Sequence, residues 1–143
     1  MEISLLENGS SVARVKGETN KPAPIRISAP KAWSPDSPFL YEVSIKLFEG
    51  KKLIEEVKSY AAYRDIRMAK SSDGHQRMFL NGKPLFHFGP LDQGWWPDGL
   101  YTAPTDEALL FDIQKTKEMG FNMIRKHVKV EPARWYYHAD QVG

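Results

Sequence analysis

Between residues 89 and 104 the sequence reads GPLDQGWWPDGLYTAP, two adjacent tryptophans, two aspartates and a glutamine set among glycines and prolines. Neither helical nor strand periodicity runs through it, so it is expected to be an irregular loop. The residue types suggest ligand reading. Trp95 and Trp96 offer flat apolar faces for stacking, while Asp92, Gln93 and Asp98 offer short carboxylates and an amide for paired hydrogen bonds. The same residues also suit a lid, with the tryptophans covering a core and the aspartates capping turns. Both readings stay open at this point. Other chemistry has less support. There is no cysteine, which removes thiolate and disulfide chemistry. His75 sits in a polar break, His87 between two phenylalanines and His138 on an expected helix surface, none with a ligand partner at usable spacing, so no metal site is expected. Glu131, just before Pro132, is read as a cap for the following helix. Lys126 and Lys129 are read as solvated or paired with the loop acids.

The elements that must position this loop fall into two halves. In YEVSIKLFEG, Tyr41, Val43, Ile45 and Leu47 alternate with Glu42, Ser44 and Lys46, the pattern of a strand with one buried face. Turn signals at Asn8-Gly9 and Glu49-Gly50, and the proline-rich WSPDSP, make residues 1 to about 70 look like four or five strands of an antiparallel sandwich. After the polar AKSSDGHQ, the stretch RMFLNGKPLFHFG reads as a hairpin turning at Asn81-Gly82, with Leu85, Phe86 and Phe88 continuing as a strand buried on both faces. A helix follows, with Thr105 as N-cap, Asp106 and Glu107 in its first turn and Gly120 at its end. FNMIRKH then reads as a short strand and EPARWYYHADQVG as a second helix, in which Trp135, Tyr136 and Tyr137 are core and interface residues. Strand, loop, helix repeated twice is the rhythm of a parallel α/β fold, whose loops after the strands build the functional face.

At 143 residues the chain has room for one domain or pieces of two. A net charge of +2 with dispersed lysines and arginines predicts no nucleic-acid partner. No run approaches the roughly 20 apolar residues of a membrane span, and no signal segment is visible, so the reading is of a soluble chain with no membrane partner.

In combination, KAWSPDSPFLYEVSIKL, YAAYRDIRM, FLNGKPLFHFG and DIQKTKEMGFNMIRKHVKVEPARWYYHADQVG resemble glycoside hydrolase family 2, which includes β-galactosidases, β-glucuronidases and β-mannosidases. The resemblance covers nearly the whole chain. It implies that residues 1–70 are part of an immunoglobulin-like β-sandwich. Residues 77–143 would be the first two β/α units of a (β/α)8 TIM barrel. The implied parent is a retaining glycosidase cleaving terminal β-linked sugars, β-galactosidase-like, with a carbohydrate substrate, no cofactor and scope for a homo-oligomer. Some members are exported, so a periplasmic or extracellular parent is one expectation, which the sequence leaves undecided. Retaining chemistry needs two carboxyl groups about 5–5.5 Å apart. The family carries its acid in an Asn-Glu dipeptide on a later strand, and this chain has no Asn-Glu. The catalytic pair is therefore expected to be absent, and the chain alone inactive.

The resemblance turns the loop toward sugars, whose C–H faces and hydroxyls match Asp92, Gln93, Trp95, Trp96 and Asp98. It also implies that Arg125, at the end of the second barrel strand, faces the pocket and supports the catalytic carboxylates, with a barrel-rim ion pair as the rival role. His127, two residues on, points to the same side. Two departures leave the sugar open. RKH matches neither the Arg-x-Trp of mannosidase-like relatives nor the Arg-x-x-His of galactosidases. FGPLD lacks the asparagine and histidine of the galactosidase motif, one of which Asp92 would replace. The rival from another class is a non-catalytic carbohydrate-binding or scaffold protein using the tryptophan loop.

Overall fold

Asn8 and Gly9 both take positive φ, 50° and 76°, and reverse the chain between β1 (Glu2–Glu7) and β2 (Ser10–Lys16). This left-handed pair matches the twist of the strands it joins. With β3 (Tyr41–Glu49) and β4 (Lys52–Ala61) they form one antiparallel sheet in the order β2-β1-β3-β4. The computed structural model describes residues 1–143 and divides them into two units. This sheet, with Met1–Ala32 and Phe39–Tyr63, is the first.

The expected alternation in β3 is present where it matters, since Tyr41 and Val43 are buried and Glu42 is exposed. Leu5, Tyr41 and Val43 form the core, and Ile25, Ile27 and Phe39 from the irregular segment before β3 pack against it. Each such buried side chain contributes about 2 kcal/mol. The Tyr41 hydroxyl accepts the Lys31 N–H at 2.7 Å, so its polar tip is satisfied inside the core. Strand β4 is different. Leu53, Ile54 and Val57 are exposed, and Lys52, Glu55, Glu56 and Lys58 charge the strand at the sheet's edge, a common guard against edge pairing. The chain is mostly antiparallel β-structure with few helices, consistent with a β-sandwich.

The second unit comprises Trp33–Pro38 and Arg64–Gly143. Its first sheet joins β5 (Ile66–Lys70), β6 (Gln76–Leu80) and β7 (Lys83–Pro84) in antiparallel order β5-β6-β7. The polar stretch after residue 69, read from the sequence as a break, is the turn of a hairpin. Gly74 at φ 82° closes it, and Ser71 N–H donates to the His75 carbonyl at 2.9 Å. The Asn81-Gly82 turn forms as expected, at φ 50° and 77°.

The apolar run Leu85–Phe88 was expected to be a strand buried on both faces, and it is not. Regular parallel pairing is confined to β8 (Leu91–Asp92) and β9 (Arg125–Lys126), while Phe86 is 80% and Phe88 56% exposed. Leu85 still follows the hairpin, donating its N–H to the Met78 carbonyl of β6 at 2.9 Å, and the run then leaves that strand. Asn122 also replaces part of the ladder with its side chain, accepting from Phe88 N–H and donating to the Phe86 carbonyl, both at 2.9 Å.

Helix α1 (Asp106–Glu118) begins where predicted, with the Thr105 hydroxyl accepting the Ala108 N–H, and ends before Gly120 at φ 85°. Helix α2 (Ala133–Val142) starts one residue after Pro132, which is its N-cap and lies outside the first turn. Leu109, Ile113 and Trp135 form the core between the helices, with Trp96, Ile124 and Ala139 packed around them. The WSPDSP motif belongs to this unit. Trp33 Nε1 donates to the Asp140 carbonyl at 2.6 Å, and Lys117 donates to the carbonyls of Pro35 and Gly143.

His138 corrects the sequence reading. It is buried, because it lies three residues after Trp135 on the α2 face turned toward α1. Asp106 receives both Nε and Nη2 of Arg134, at 2.9 and 2.6 Å, and lies 3.1 Å from His138 Nε2. The Arg134 hydrogen bonds, then that of His138, hold the Asp106 carboxyl far below its ordinary value of 3.8. A depressed folded-state pKa stabilises above the unfolded value and loses that contribution as pH falls through it. Melting temperature is therefore expected to drop below about pH 4, and Asp106→Asn to flatten that acid limb while lowering the pH 7 value. An unchanged limb in the variant would exclude this clasp as its source.

Candidate functional site

The loop hangs from a charge network that is buried except at Asp92. Asp92 ends β8, and its carboxylate accepts the Gly94 N–H at 2.6 Å and an ion pair from Lys126 on β9. Lys126 also pairs with Glu131 at 2.8 Å, and Lys129 approaches the same carboxylate oxygen at 3.2 Å. The Glu131 side chain is only 2% exposed, and the two lysines are under a tenth exposed. Burial pushes the Asp92 carboxyl up, but the Lys126 and Gly94 hydrogen bonds and the two lysine charges outweigh it, and the net shift is downward.

Lys129 carries this network into the loop. Its ammonium donates to the carbonyls of Gly94, at 2.9 Å, and Tyr101, at 2.8 Å, so one charge grips both ends of the loop tip. Within that span Trp96 and Leu100 exchange backbone hydrogen bonds of 2.7 and 3.1 Å. Leu100 takes φ 54° to close the turn. Gly94, at φ 62°, leaves no room for a side chain, since a Cβ there would collide with Glu131 and crowd Lys129.

The expected site residues separate into distinct environments. Trp95 is 61% exposed and meets Tyr101 edge-to-face, with centroids 5.1 Å apart. Trp96 turns the other way and packs on the helix core, its buried Nε1 without a hydrogen-bond partner. Gln93 Nε2 lies 3.2 Å from His127 Nδ1, bringing loop and strand end together. Arg125 is exposed and, by strand alternation, shares the His127 face opposite Lys126. Asp98 is exposed at the centre of the turn between Trp96 and Leu100. A separate cavity of about 190 Å³, lined by residues including Ile113, Phe121 and Trp135, contains none of these groups.

Sequence reasoning missed Glu131 as a central anion. It was read as a helix cap, and its N–H in fact receives no helix role: it donates to the Tyr136 hydroxyl at 3.3 Å while the carboxylate turns inward. The available signal was Lys126, Lys129 and Glu131 together in KHVKVE, three charges that a half-buried strand end has to neutralise.

The family model for glycosyl hydrolases family 2 matches residues 3–64. A protein named "Putative beta-glucuronidase" from Formosa agariphila is 31% identical over 121 residues, 83% of this chain and 11% of its own length. The chain belongs to glycosyl hydrolases family 2. A second relative, the beta-galactosidase of Psychromonas ingrahamii, is 29% identical over 94% of this chain and 13% of its own. The chain thus spans about an eighth or less of the length of these curated relatives. Among solved structures, the β-glucuronidase of Ruminococcus gnavus superposes with a TM-score of 0.85 over 99% of this chain and 23% of its own, at 20% identity. That likeness concerns the fold. A beta-glycosidase from Bacteroides vulgatus, at 25% identity, has a TM-score of 0.78 over 99% of this chain and 18% of its own.

Proposed function

We propose that this chain is a section of a retaining glycoside hydrolase that cleaves terminal β-linked sugars, β-galactosidase-like. In this reading β1–β4 belong to an immunoglobulin-like domain, and β8-α1-β9-α2 are the first two β/α units of a (β/α)8 barrel. The carrying observation is the loop after β8. It exposes the Trp95–Tyr101 pair beside the Gln93–His127 contact, and both relatives named above are called glycosidases. An aromatic face with hydrogen-bonding groups at its edge suits a pyranose ring. In the proposal Trp95 stacks on the sugar, and Gln93, His127 and Asp98 reach its hydroxyls. Arg125 supports a carboxylate supplied by another part of the longer protein. Asp92 and Trp96 act from behind, Asp92 by setting the loop's entry and Trp96 by rooting it in the core.

The test compares the enclosing open reading frame with this 143-residue chain on chromogenic β-galactoside, β-glucuronide and β-mannoside substrates. Hydrolysis by the longer protein alone is expected, since retaining chemistry needs a carboxylate pair and the chain lacks Asn-Glu. Silence from the longer protein, with glycoside binding by the short chain, would replace the hydrolase reading with a carbohydrate-binding one.

A further inference from the structure

We propose that Glu131 is a positioning residue for ligand recognition, acting through Lys129 to present the Trp95–Tyr101 pair as a fixed stacking platform. The proposal rests on the carbohydrate reading above. Glu131 is the carboxylate at ion-pair distance from Lys129, with Asp92 acting on it only from farther off, and the ammonium reaches Glu131 Oε1 and the two carbonyls that bracket the loop tip. It also lies 5.2 Å from the Tyr101 ring centroid, so it holds one member of the platform by backbone and by ring face. The carboxylate offsets the cost of burying that ammonium. Gly94 completes the fit, because only a residue without a Cβ admits Glu131 and Lys129 so close to the backbone.

This arrangement makes a platform rather than a loose loop. The eight residues from Gly94 to Tyr101 are pinned at both ends by one donor and closed in the middle by the Trp96–Leu100 bridge. A ring that stacks on Trp95 then has less loop entropy to overcome, which is how preorganisation raises affinity. A residue that only stabilised the fold would change melting temperature without being coupled to Trp95.

The experiment measures binding of methyl β-D-galactoside and methyl β-D-glucuronide to this chain by tryptophan fluorescence, and amide exchange of residues 95–101, in the wild type, Glu131→Gln, Glu131→Asp, Trp95→Ala and the Glu131→Gln/Trp95→Ala double variant. Glu131→Gln is expected to weaken binding about tenfold and to speed loop exchange about tenfold, with α1 and α2 unaffected. Glu131→Asp should restore most of both, and the double variant should bind no more weakly than Trp95→Ala, the non-additivity expected of residues that act as a unit. Additive losses, or unchanged loop exchange, overturn the proposal. If Glu131→Gln does not fold, Lys129→Met decides, because it removes the clamp and leaves the Glu131–Lys126 pair; unchanged loop exchange in that variant also overturns it. Should the wild type bind neither glycoside while loop exchange responds as stated, the carbohydrate reading fails and the clamp stands.

Discussion

Replacing Trp135 with alanine is expected to cost about 3–5 kcal/mol in a urea titration, a large part of a small domain's stability. Trp135 is the largest member of the helix core, packed with Leu109 and Ile113 and 7% exposed. Its loss also reaches the site, because Lys126 lies 4.6 Å from its ring centroid, and removing the ring exposes the lysine's side of the charge network. The loop after β8 should therefore loosen together with the core. A loss below about 1 kcal/mol would show that the helix pair is held by something other than this indole.

The second large effect is expected at Gly89, where alanine should cost about 3 kcal/mol by overpacking. The position requires glycine because of space: its φ lies outside the left-handed region, but a Cβ would overlap the Met123 carbonyl. Any side chain there must push the two parallel segments apart. The contacts that would stretch are Asn122 N–H to the Phe88 carbonyl, 3.0 Å, and Arg125 N–H to the Pro90 carbonyl, 2.9 Å. Faster amide exchange at Arg125, alongside the lost stability, is the expected signature. Phe86→Ala, at a side chain that is 80% exposed, is the control and should stay within about 0.5 kcal/mol. Equal effects at the two positions would mean that the close approach at Gly89 is not what holds the ladder.

Much of the local architecture could be read directly from the residues, because its causes are local. Asn81-Gly82 turns where its φ preferences dictate, Thr105 caps α1 with its own hydroxyl, and Gly120 stops that helix. Where the outcome depends on a distant partner, the sequence was less informative. Leu85–Phe88 has the composition of a strand covered on both faces, yet Asn122, more than thirty residues away, takes over part of its hydrogen bonding. His138 looked like a surface residue until α2 packed against α1 and Asp106 met its imidazole. The loop's residue types suggested ligand contact as well as a lid, and the geometry assigns the two tryptophans opposite surroundings, Trp95 open and Trp96 against the core. The Glu131 network was not legible as a unit, because its members must first be brought together by the pairing of β8 with β9.

The four charges beneath the loop, Asp92, Lys126, Glu131 and Lys129, sum to zero. A neutral set attracts little counter-ion atmosphere, and mobile ions have little access to the space between Lys126, Lys129 and Glu131, each under a tenth exposed. An exposed pair such as Glu18–Lys21, with both side chains about 70% accessible, lies within reach of screening ions. The loop's shape is thereby expected to be insensitive to the ionic strength of its surroundings, with one form in dilute and in briny media alike.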